Sequence, residues 1–257
     1  TRDGITLVLY GDVPLIAAGT LKRMLKPNQL TLMTVELDDP AGYGRIVRDD
    51  YGTISRIVED KDANVYEREI REVNTGIMAI PAARLQNWLS RLGNKNTQKE
   101  YYLTDIVALA IKDGAKVSSI QPKHVWETLG VNSKAQLAQL ERLYQRERAN
   151  QLLEQGVTLA DPSRIDVRGE LTCGRDVEID IGCVFEGEVT LGNRVSVGAN
   201  CVLKNVKIAA DTELLPYCVI DGAEIGRDCR IGPYSRIRPG TVLENEAHIG
   251  NFVEVKN

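Results

Sequence analysis

A six-residue repeat occupies the last third of the chain and constrains its fold more than any other feature. From Val167 onward an apolar residue recurs every six positions, and a small or β-branched residue follows four positions after most of them. Two steps are five residues long, Leu203 to Ile208 and Ile220 to Ile225. They lie three repeats apart, which predicts a three-sided coil of about 18 residues. The apolar positions are Val167, Cys173, Ile179, Phe185, Leu191, Val197, Leu203, Ile208, Leu214, Ile220, Ile225, Ile231, Ile237, Leu243 and Ile249.

Each hexad is expected to form a short strand and a corner, with its first residue pointing inward. Glycine often follows that residue, and we expect it at the corners, where a positive φ is cheap only for glycine. One coil cannot bury its own apolar face, so stability must come from stacked coils. A β-sandwich is the alternative, but sandwich strands do not keep a six-residue phase over about 80 residues. The repeat therefore predicts a parallel β-helix.

Composition and charge exclude several classes of protein. The chain has 257 residues, 43% of them hydrophobic and 26% charged, which is typical of a globular protein of about two domains. The net charge of −4 argues against nonspecific binding to nucleic acid or to an anionic membrane. No apolar run approaches the length of a membrane span, and no signal pattern opens the chain. We expect a cytoplasmic protein with neither nucleic-acid nor membrane partners.

All five cysteines lie within the repeat. Cys183, Cys201, Cys218 and Cys229 occupy the small inward position, and Cys173 occupies a first position. A metal site or a disulfide set is the alternative, but this phase favours cysteine as a small apolar residue with a reduced thiol.

The first half of the chain alternates between strand and helix patterns. A strand at 5–10 runs into Gly11 and Asp12, which places a carboxylate at a sheet edge where ligands bind in α/β proteins. We expect a mostly parallel layered domain, with Thr104 capping a helix. The predicted helices cover 17–25, 81–92 and 104–112, and the predicted strands cover 30–37, 73–80, 117–120 and a hairpin over 42–58.

Residues 133–155 are predicted to form one amphipathic connecting helix that ends at Gly156. A coiled coil is less well supported because fewer than three heptads are available. The predicted domains are therefore residues 1–132, the connecting helix 133–156, and the β-helix 157–257.

Several short segments resemble one family in order and spacing: residues 9–16, 42–45, 59–63, 73–76, 100–105, 131–137 and 250–256. The family is that of the bifunctional bacterial N-acetylglucosamine-1-phosphate uridylyltransferases and glucosamine-1-phosphate N-acetyltransferases. The resemblance implies a Rossmann-like nucleotidyltransferase domain, a linker helix and a left-handed parallel β-helix. It also implies a homotrimer assembled through the β-helix, which makes UDP-N-acetylglucosamine for peptidoglycan and lipopolysaccharide.

The resemblance assigns a uridylyltransferase site to the first domain. Asp12 and Asn132 match ligands of Mg²⁺, a cation that prefers oxygen donors and keeps several waters. The reaction implied is in-line attack of the sugar 1-phosphate on the α-phosphorus of UTP, with pyrophosphate leaving. Taken singly, Asp12 could be a turn former, Asn74 a strand-end cap and Glu59 a solvated charge. The residues that match contacts to the sugar nucleotide are Tyr10, Gly11, Asp12, Gly44, Glu59, Asn74 and Asn132.

The resemblance also assigns an acetyl-acceptor site to the β-helix, with acetyl-coenzyme A as co-substrate. Arg238 and Lys256 match residues that bind glucosamine 1-phosphate, although each could be an ordinary solvent-facing cation. No residue matches the catalytic base, a histidine that we expect beyond Asn257. Neither His124 nor His248 lies at that position.

The sequence departs from the family at three places. No Gly-rich triphosphate loop with Arg and Lys appears, the chain opens at Thr1 without the family's first strand, and the connection Leu25–Asn28 is a few residues short. We therefore expect the central portion of a longer protein, with little turnover by this chain alone. The alternatives are another sugar-phosphate nucleotidyltransferase with a regulatory β-helix, or a non-catalytic trimeric assembly module.

Overall fold

The computed structural model describes residues 4–256, which form two compact units that divide between Leu137 and Ala138. The first unit contains six strands, four helices and two short 3₁₀ turns among the described residues, and the turns are Leu103–Asp105 and Val125–Thr128. Its strands and helices are, in order, β1 (Ile5–Val8), α1 (Ala18–Met24), β2 (Gln29–Glu36), β3 (Arg45–Arg48), β4 (Ile54–Val58), α2 (Val65–Arg68), β5 (Glu72–Pro81), α3 (Ala82–Leu89), α4 (Ile106–Lys112) and β6 (Lys116–Ile120).

The α/β character of the first unit is confirmed, but the prediction of mostly parallel pairing is wrong. The described strands follow the order β4-β3-β5-β2-β6, with β1 also paired to β5. Among the strands that the structure describes in this unit, only β2 and β6 pair in parallel. Strand β5 runs antiparallel to β1, β2 and β3. The apolar pattern of a buried strand shows its position and carries no information on its direction, so the sequence could not reveal this reversal.

The central strands of this sheet are buried on both faces. Leu30 and Met78 pack with Trp88 of α3 and Ile106 of α4 on one face. Met33 and Ile77, whose side chains point the opposite way along the same strands, pack with Met24 of α1 on the other face. Helices on both faces thus hold β2 and β5 rigid, and β5 carries one of the predicted site residues.

Two helices differ from the predictions in their boundaries. Pro81 is the last residue of β5, and α3 ends at Leu89 instead of continuing to Leu92. Thr104 lies inside a 3₁₀ turn and makes no side-chain capping bond, so the predicted cap is wrong. The tighter turn leaves the Thr104 hydroxyl free to donate a hydrogen bond to a residue distant in sequence.

The predicted connecting helix is present as α5 (Lys134–Glu154), and Gly156 follows it with φ +90°. The helix is amphipathic only in part, because Leu140 and Leu152 are buried whereas Leu137, Leu143 and Leu153 are exposed. Ala149 and Leu152 pack against the first coil of the β-helix. No helix among the described residues is both long and apolar enough to cross a membrane.

The second unit is the predicted β-helix of the left-handed hexapeptide type. Phe185 pairs with Leu203, and Leu203 pairs with Ile220, so one coil has 18 residues and the next has 17, as the five-residue steps require. Every strand pairing in this unit is parallel. The strands are β7 (Thr158–Leu159), β8 (Ile165–Cys173), β9 (Glu178–Ile179), β10 (Cys183–Leu191), β11 (Ser196–Val197), β12 (Val202–Ile208), β13 (Glu213–Leu214), β14 (Val219–Asp221), β15 (Glu224–Ile225), β16 (Arg230–Ile231), β17 (Arg236–Ile237), β18 (Val242–Leu243), β19 (His248–Ile249) and β20 (Glu254–Val255).

The predicted inward positions form one continuous apolar core. Four of the five cysteines are buried in it and Cys173 packs against it, which confirms cysteine as a small apolar residue here. Burial raises the pKa of Cys173 to about 12 and that of Cys183 to about 11, so both thiols stay protonated at neutral pH. Val253 is the exception among the small positions and is exposed, in the last coil that the structure describes.

Most glycines that follow the inward residues have a different role from the one predicted, although Gly232, with φ +95°, does take the positive φ expected at a corner. Corner residues with positive φ are mostly not glycine; one corner carries Asp176, Arg194, Asp211, Asp228 and Glu246. The glycines that follow the inward residues lie where the next coil approaches closely. A Cβ on Gly192 would stand 2.6 Å from the Ala210 nitrogen, and one on Gly226 would stand 2.6 Å from the Asn245 nitrogen. These glycines therefore permit stacking.

Candidate functional site

The strand-end motif lies against the middle of β5. Tyr10 follows β1, and its ring covers Gly76, where an added Cβ would collide with the ring. Gly76 also has φ +81°, a backbone conformation that glycine adopts without strain. The Tyr10 side chain is 49% exposed, which leaves it open to a ligand at this edge.

Asp12 and the segment before Asn132 lie side by side. The Val131 backbone N–H donates to the Asp12 carbonyl oxygen at 2.9 Å. A Cβ added to Gly130 would stand 3.6 Å from Oδ2 of Asp12, so the carboxylate lies next to this loop. The Asn132 N–H donates to Oε1 of Gln136 at 2.7 Å, in the first turn of α5. Two residues distant in sequence are thereby held in adjoining loops.

Gly44, Glu59 and Asn74 form a second cluster. The Asn74 N–H donates to the Gly44 carbonyl oxygen at 2.8 Å. A Cβ on Gly44 would stand 3.3 Å from Oε2 of Glu59, and Oε1 of Glu59 accepts a 2.7 Å hydrogen bond from the Thr104 hydroxyl. Three predicted residues and one that the sequence did not single out thus share one location.

The Asn74 side chain in this cluster is only 8% exposed, and its Oδ1 atom is buried without a hydrogen-bond partner among the described residues. A buried amide oxygen without a partner costs free energy, and native structures seldom tolerate one without a reason. A ligand hydroxyl or amide donor at this position would satisfy it.

Carboxylates surround the second cluster. Burial raises the pKa of Asp105, and the charges of Glu59 and Asp62 raise it further. The pKa of Asp62 is lowered because the Thr97 hydroxyl and backbone N–H donate to it. Sequence reasoning missed Thr104 and Asp105 as neighbours of Glu59, although both lie in the segment 100–105 that carried the resemblance.

Both clusters adjoin β5. Tyr10 covers Gly76, which is two residues from Asn74 on the same strand. The structure therefore brings Tyr10 and Asn74 to one strand and holds the Asp12 loop beside the Asn132 loop. Side chains that offer oxygen acceptors and an aromatic face, at one edge of an α/β sheet, are suited to the hydroxyl groups of a sugar.

In the β-helix, Arg238 and Lys256 lie on adjacent coils. Ile237 pairs with Val255, and the Arg238 N–H donates to the Val255 carbonyl oxygen at 3.0 Å. Arg238 and Lys256 are therefore neighbouring outward positions. Arg238 also approaches Glu254, with 3.7 Å between Nη1 and Oε1.

These two cations break an alternation of charge along that column of the β-helix. The outward position after each inward residue changes sign from coil to coil, and Arg168 and Glu186 form a salt bridge at 3.2 Å. Like charges directly opposite each other on neighbouring strands are destabilising. The column runs Arg168, Glu186, Lys204, Asp221, Arg238 and Lys256.

The fold and these clusters define a class: a sugar-nucleotide type α/β unit joined to a hexapeptide-repeat β-helix. Three curated relatives, each named Bifunctional protein GlmU, match this chain. The one from Nitrosospira multiformis is 62% identical over 100% of this chain and 56% of its own length. Those from Aromatoleum aromaticum and Herminiimonas arsenicoxydans are 60% and 61% identical over 100% and 99% of this chain, and 57% of their own lengths.

The resemblance predicted from the sequence motifs is thus confirmed along the whole chain. The chain spans a little over half the length of these relatives. Residues 167–257 also match the family described as the GMPPB C-terminal domain. A solved structure of a mutant perosamine N-acetyltransferase from Caulobacter crescentus is also similar, with 15% sequence identity and a TM-score of 0.38. The match covers 58% of this chain and 80% of the acetyltransferase chain.

Proposed function

We propose that this chain is part of a bifunctional enzyme of UDP-N-acetylglucosamine synthesis. One reaction transfers acetyl from acetyl-coenzyme A to glucosamine 1-phosphate. The other transfers uridylyl from UTP to N-acetylglucosamine 1-phosphate and releases pyrophosphate. The similarity to proteins named bifunctional supports both reactions. The observation that carries the uridylyl half is the unpartnered, buried Oδ1 of Asn74 beside Gly44 and Glu59.

In the uridylyl reaction, the residues around β5 would bind and orient the nucleotide sugar. Oδ1 of Asn74 would accept a hydrogen bond from the sugar, and Oε2 of Glu59, the oxygen that Thr104 leaves free, would accept another. Gly44 would leave room for the sugar because a side chain there would crowd Glu59. Positioning of the two reactants in this way accounts for a large part of the rate of a group transfer.

The residues also fit a magnesium ion, since Asp12 supplies a carboxylate beside the loop that carries the Asn132 amide. One carboxylate and one amide oxygen are sufficient when substrate phosphates supply further ligands. When bound, Mg²⁺ would neutralise charge on the phosphates and hold them in line. Tyr10 and Gly11, which directly precede Asp12 in the sequence, would lie beside this magnesium site.

Calorimetric titration of this chain with UDP-N-acetylglucosamine, with and without Mg²⁺, tests the uridylyl half. We expect Mg²⁺-dependent binding that Asn74→Ala weakens by about tenfold, because the lost hydrogen bond contributes about 1.4 kcal/mol. Asn94→Ala, at an exposed position in the same unit, is the matched control. Equal affinity of the wild type and Asn74→Ala would contradict the assignment of Asn74, and no binding at all would contradict the uridylyl half.

Arg238 and Lys256 are proposed to bind the phosphate of glucosamine 1-phosphate. An anion between two cations relieves their repulsion and forms charge-assisted hydrogen bonds. We expect the chain to bind glucosamine 1-phosphate but not glucosamine, and Lys256→Ala to lower that affinity by about tenfold or more, because a charged hydrogen bond contributes about 1.5 to 3 kcal/mol. Lys207→Ala, which removes a cation that is 76% exposed on the same β-helix, is the control.

The same titration separates the leading proposal from a second function. The second candidate is another sugar-phosphate nucleotidyltransferase with a regulatory β-helix, and residues 167–257 match a family other than that of the leading proposal, the GMPPB C-terminal domain. In that case glucosamine 1-phosphate would bind no better than glucosamine. A chain that bound neither the nucleotide sugar nor glucosamine 1-phosphate would fit a trimeric assembly module. Trimerisation through the β-helix, location in the cytoplasm and a role in cell-envelope synthesis remain proposals from the resemblance.

A further inference from the structure

Glu127 is a buried carboxylate that the proposed reactions do not use. It lies in the turn Val125–Thr128 and is 1% exposed. Oε2 accepts a 3.2 Å hydrogen bond from the Ala17 N–H, and Oε1 accepts a 3.1 Å hydrogen bond from the His124 N–H. It forms no salt bridge with any residue that the structure describes. A glutamate is seldom fully buried without a paired partner, so a buried carboxyl group that accepts only from two backbone N–H groups indicates a specific role.

Glu127 makes one of three hydrogen-bonded links between residues 9–24, which are the loop after β1 and helix α1, and residues 121–133, the loop before α5. Arg23 donates from Nη2 to the Gln121 carbonyl oxygen at 2.7 Å, and Val131 donates to Asp12 at 2.9 Å. In both segments, the residues joined by the Glu127–Ala17 hydrogen bond lie between the residues joined by the other two hydrogen bonds. Ala17 follows Asp12 by five residues, and Asn132 follows Glu127 by five residues. The tie therefore joins the loops that carry the two proposed metal ligands.

We propose that Glu127 is a positioning residue that holds the Asn132 loop against the Asp12 loop and thereby sets the separation of the two magnesium ligands. This inference rests on the proposed uridylyl function. The two hydrogen bonds explain why this residue is a glutamate, because both partners of its side chain, Ala17 and His124, donate from backbone N–H groups. A carboxylate accepts from both, whereas a glutamine would turn its NH₂ group toward one of them.

Glu127→Gln tests this role, with Glu69→Gln at an exposed position of the same unit as the control. We expect amide hydrogen exchange at Val131 to accelerate by about tenfold or more, while exchange in β2 and β5 is unchanged. We also expect the affinity for Mn²⁺, measured by electron paramagnetic resonance with UDP-N-acetylglucosamine present, to fall by about 10 to 100-fold, as for other residues that orient metal ligands.

Ala17→Pro removes the same hydrogen bond between Ala17 and Glu127 from the other side. It removes the N–H donor and leaves the Glu127 carboxylate intact, and the Ala17 φ of −74° suits proline. We expect it to reproduce both effects, which keeps the inference testable if Glu127→Gln fails to fold.

Two results would overturn the inference. Unchanged exchange at Val131 in both folded variants would show that the hydrogen bond does not hold the loops together. Mn²⁺ bound by the wild type and equally well by both variants would show that Glu127 does not position the metal ligands. A wild type that binds no Mn²⁺ with the nucleotide sugar would contradict the proposed function itself, and the metal role of Glu127 with it.

Discussion

At the scale of single residues, Glu72 on β5 makes the stability of the first unit depend on pH in the acid range. Arg48 donates to both carboxylate oxygens of Glu72 at 2.7 and 2.8 Å, and the Thr34 hydroxyl donates to one of them at 2.8 Å. Burial alone would raise the pKa of Glu72, but these hydrogen bonds and the Arg48 charge together hold the pKa below its ordinary value of 4.5. Ionised Glu72 therefore stabilises the folded chain.

Because the pKa is lowered on folding, this stabilisation is fully present above pH 4.5 and is lost as the pH falls through the folded-state pKa. We expect Glu72→Gln to reduce the free energy of unfolding at pH 7 by about 1 to 3 kcal/mol. The difference from the wild type should shrink as the pH falls below 4.5 and through the lowered folded-state pKa. Urea unfolding of both proteins from pH 7 to pH 3 measures this, and a constant difference over that range would contradict the account.

The family resemblance supplied the members of the candidate site but not their supports. Asp12, Gly44, Glu59, Asn74 and Asn132 all matched positions of the family, and the structure places them in two clusters. The supporting contacts join residues far apart in sequence, such as Thr104 with Glu59 and Glu127 with Ala17. Such pairs follow from tertiary packing, which no local pattern encodes.

At the scale of elements, α5 closes the first coil of the β-helix through Gln145. Its side-chain amide donates from Nε2 to the Val167 carbonyl oxygen at 3.0 Å, and Oε1 accepts from the Val167 N–H at 2.7 Å. Gln145 is 3% exposed and thus takes the place that the backbone of a preceding coil would have. An uncovered strand edge is a site for unwanted pairing, so this cap also protects the β-helix.

We expect Gln145→Leu to lower the free energy of unfolding of the β-helix by about 2 to 4 kcal/mol, because it leaves a buried N–H and a buried carbonyl of Val167 without partners. Gln139→Leu, at an exposed position of α5, should change it by less than about 0.5 kcal/mol. Chemical denaturation followed by circular dichroism compares the two. A similar small effect for both variants would show that the cap does not stabilise the β-helix.

The repeat predicted the strands of the β-helix but not the conformation of its corners. Period and residue size are enough to assign inward positions, because every coil repeats one environment. Backbone conformation at the corners depends on contacts between coils, so Tyr217, Tyr234 and Phe252 were not foreseen as corner residues. All three have positive φ, and their rings stack with centroids 4.9 and 5.0 Å apart. Stacking offsets part of the strain of that conformation.

At the scale of the whole molecule, the sequence separated an α/β half from a β-helical half, and the structure divides the chain between Leu137 and Ala138, inside the predicted connecting helix. The architecture followed from periodicity, whereas the direction of β5 did not. The functional reading depended on resemblance, because polar residues at a strand end are compatible with many ligands. The unpartnered Asn74 oxygen and the interrupted charge column are physical observations that point to ligands without any resemblance.

The central claim is that Asp12 and Asn132 hold a divalent cation beside a nucleotide sugar in the first unit. Crystals of this chain soaked with Mn²⁺ and UDP-N-acetylglucosamine test it most directly, through the anomalous scattering of manganese. The account predicts one strong peak about 2 Å from oxygen atoms of both Asp12 and Asn132, with phosphate oxygens completing the coordination. A bound nucleotide sugar with no peak there, or with the peak at other residues, would contradict it.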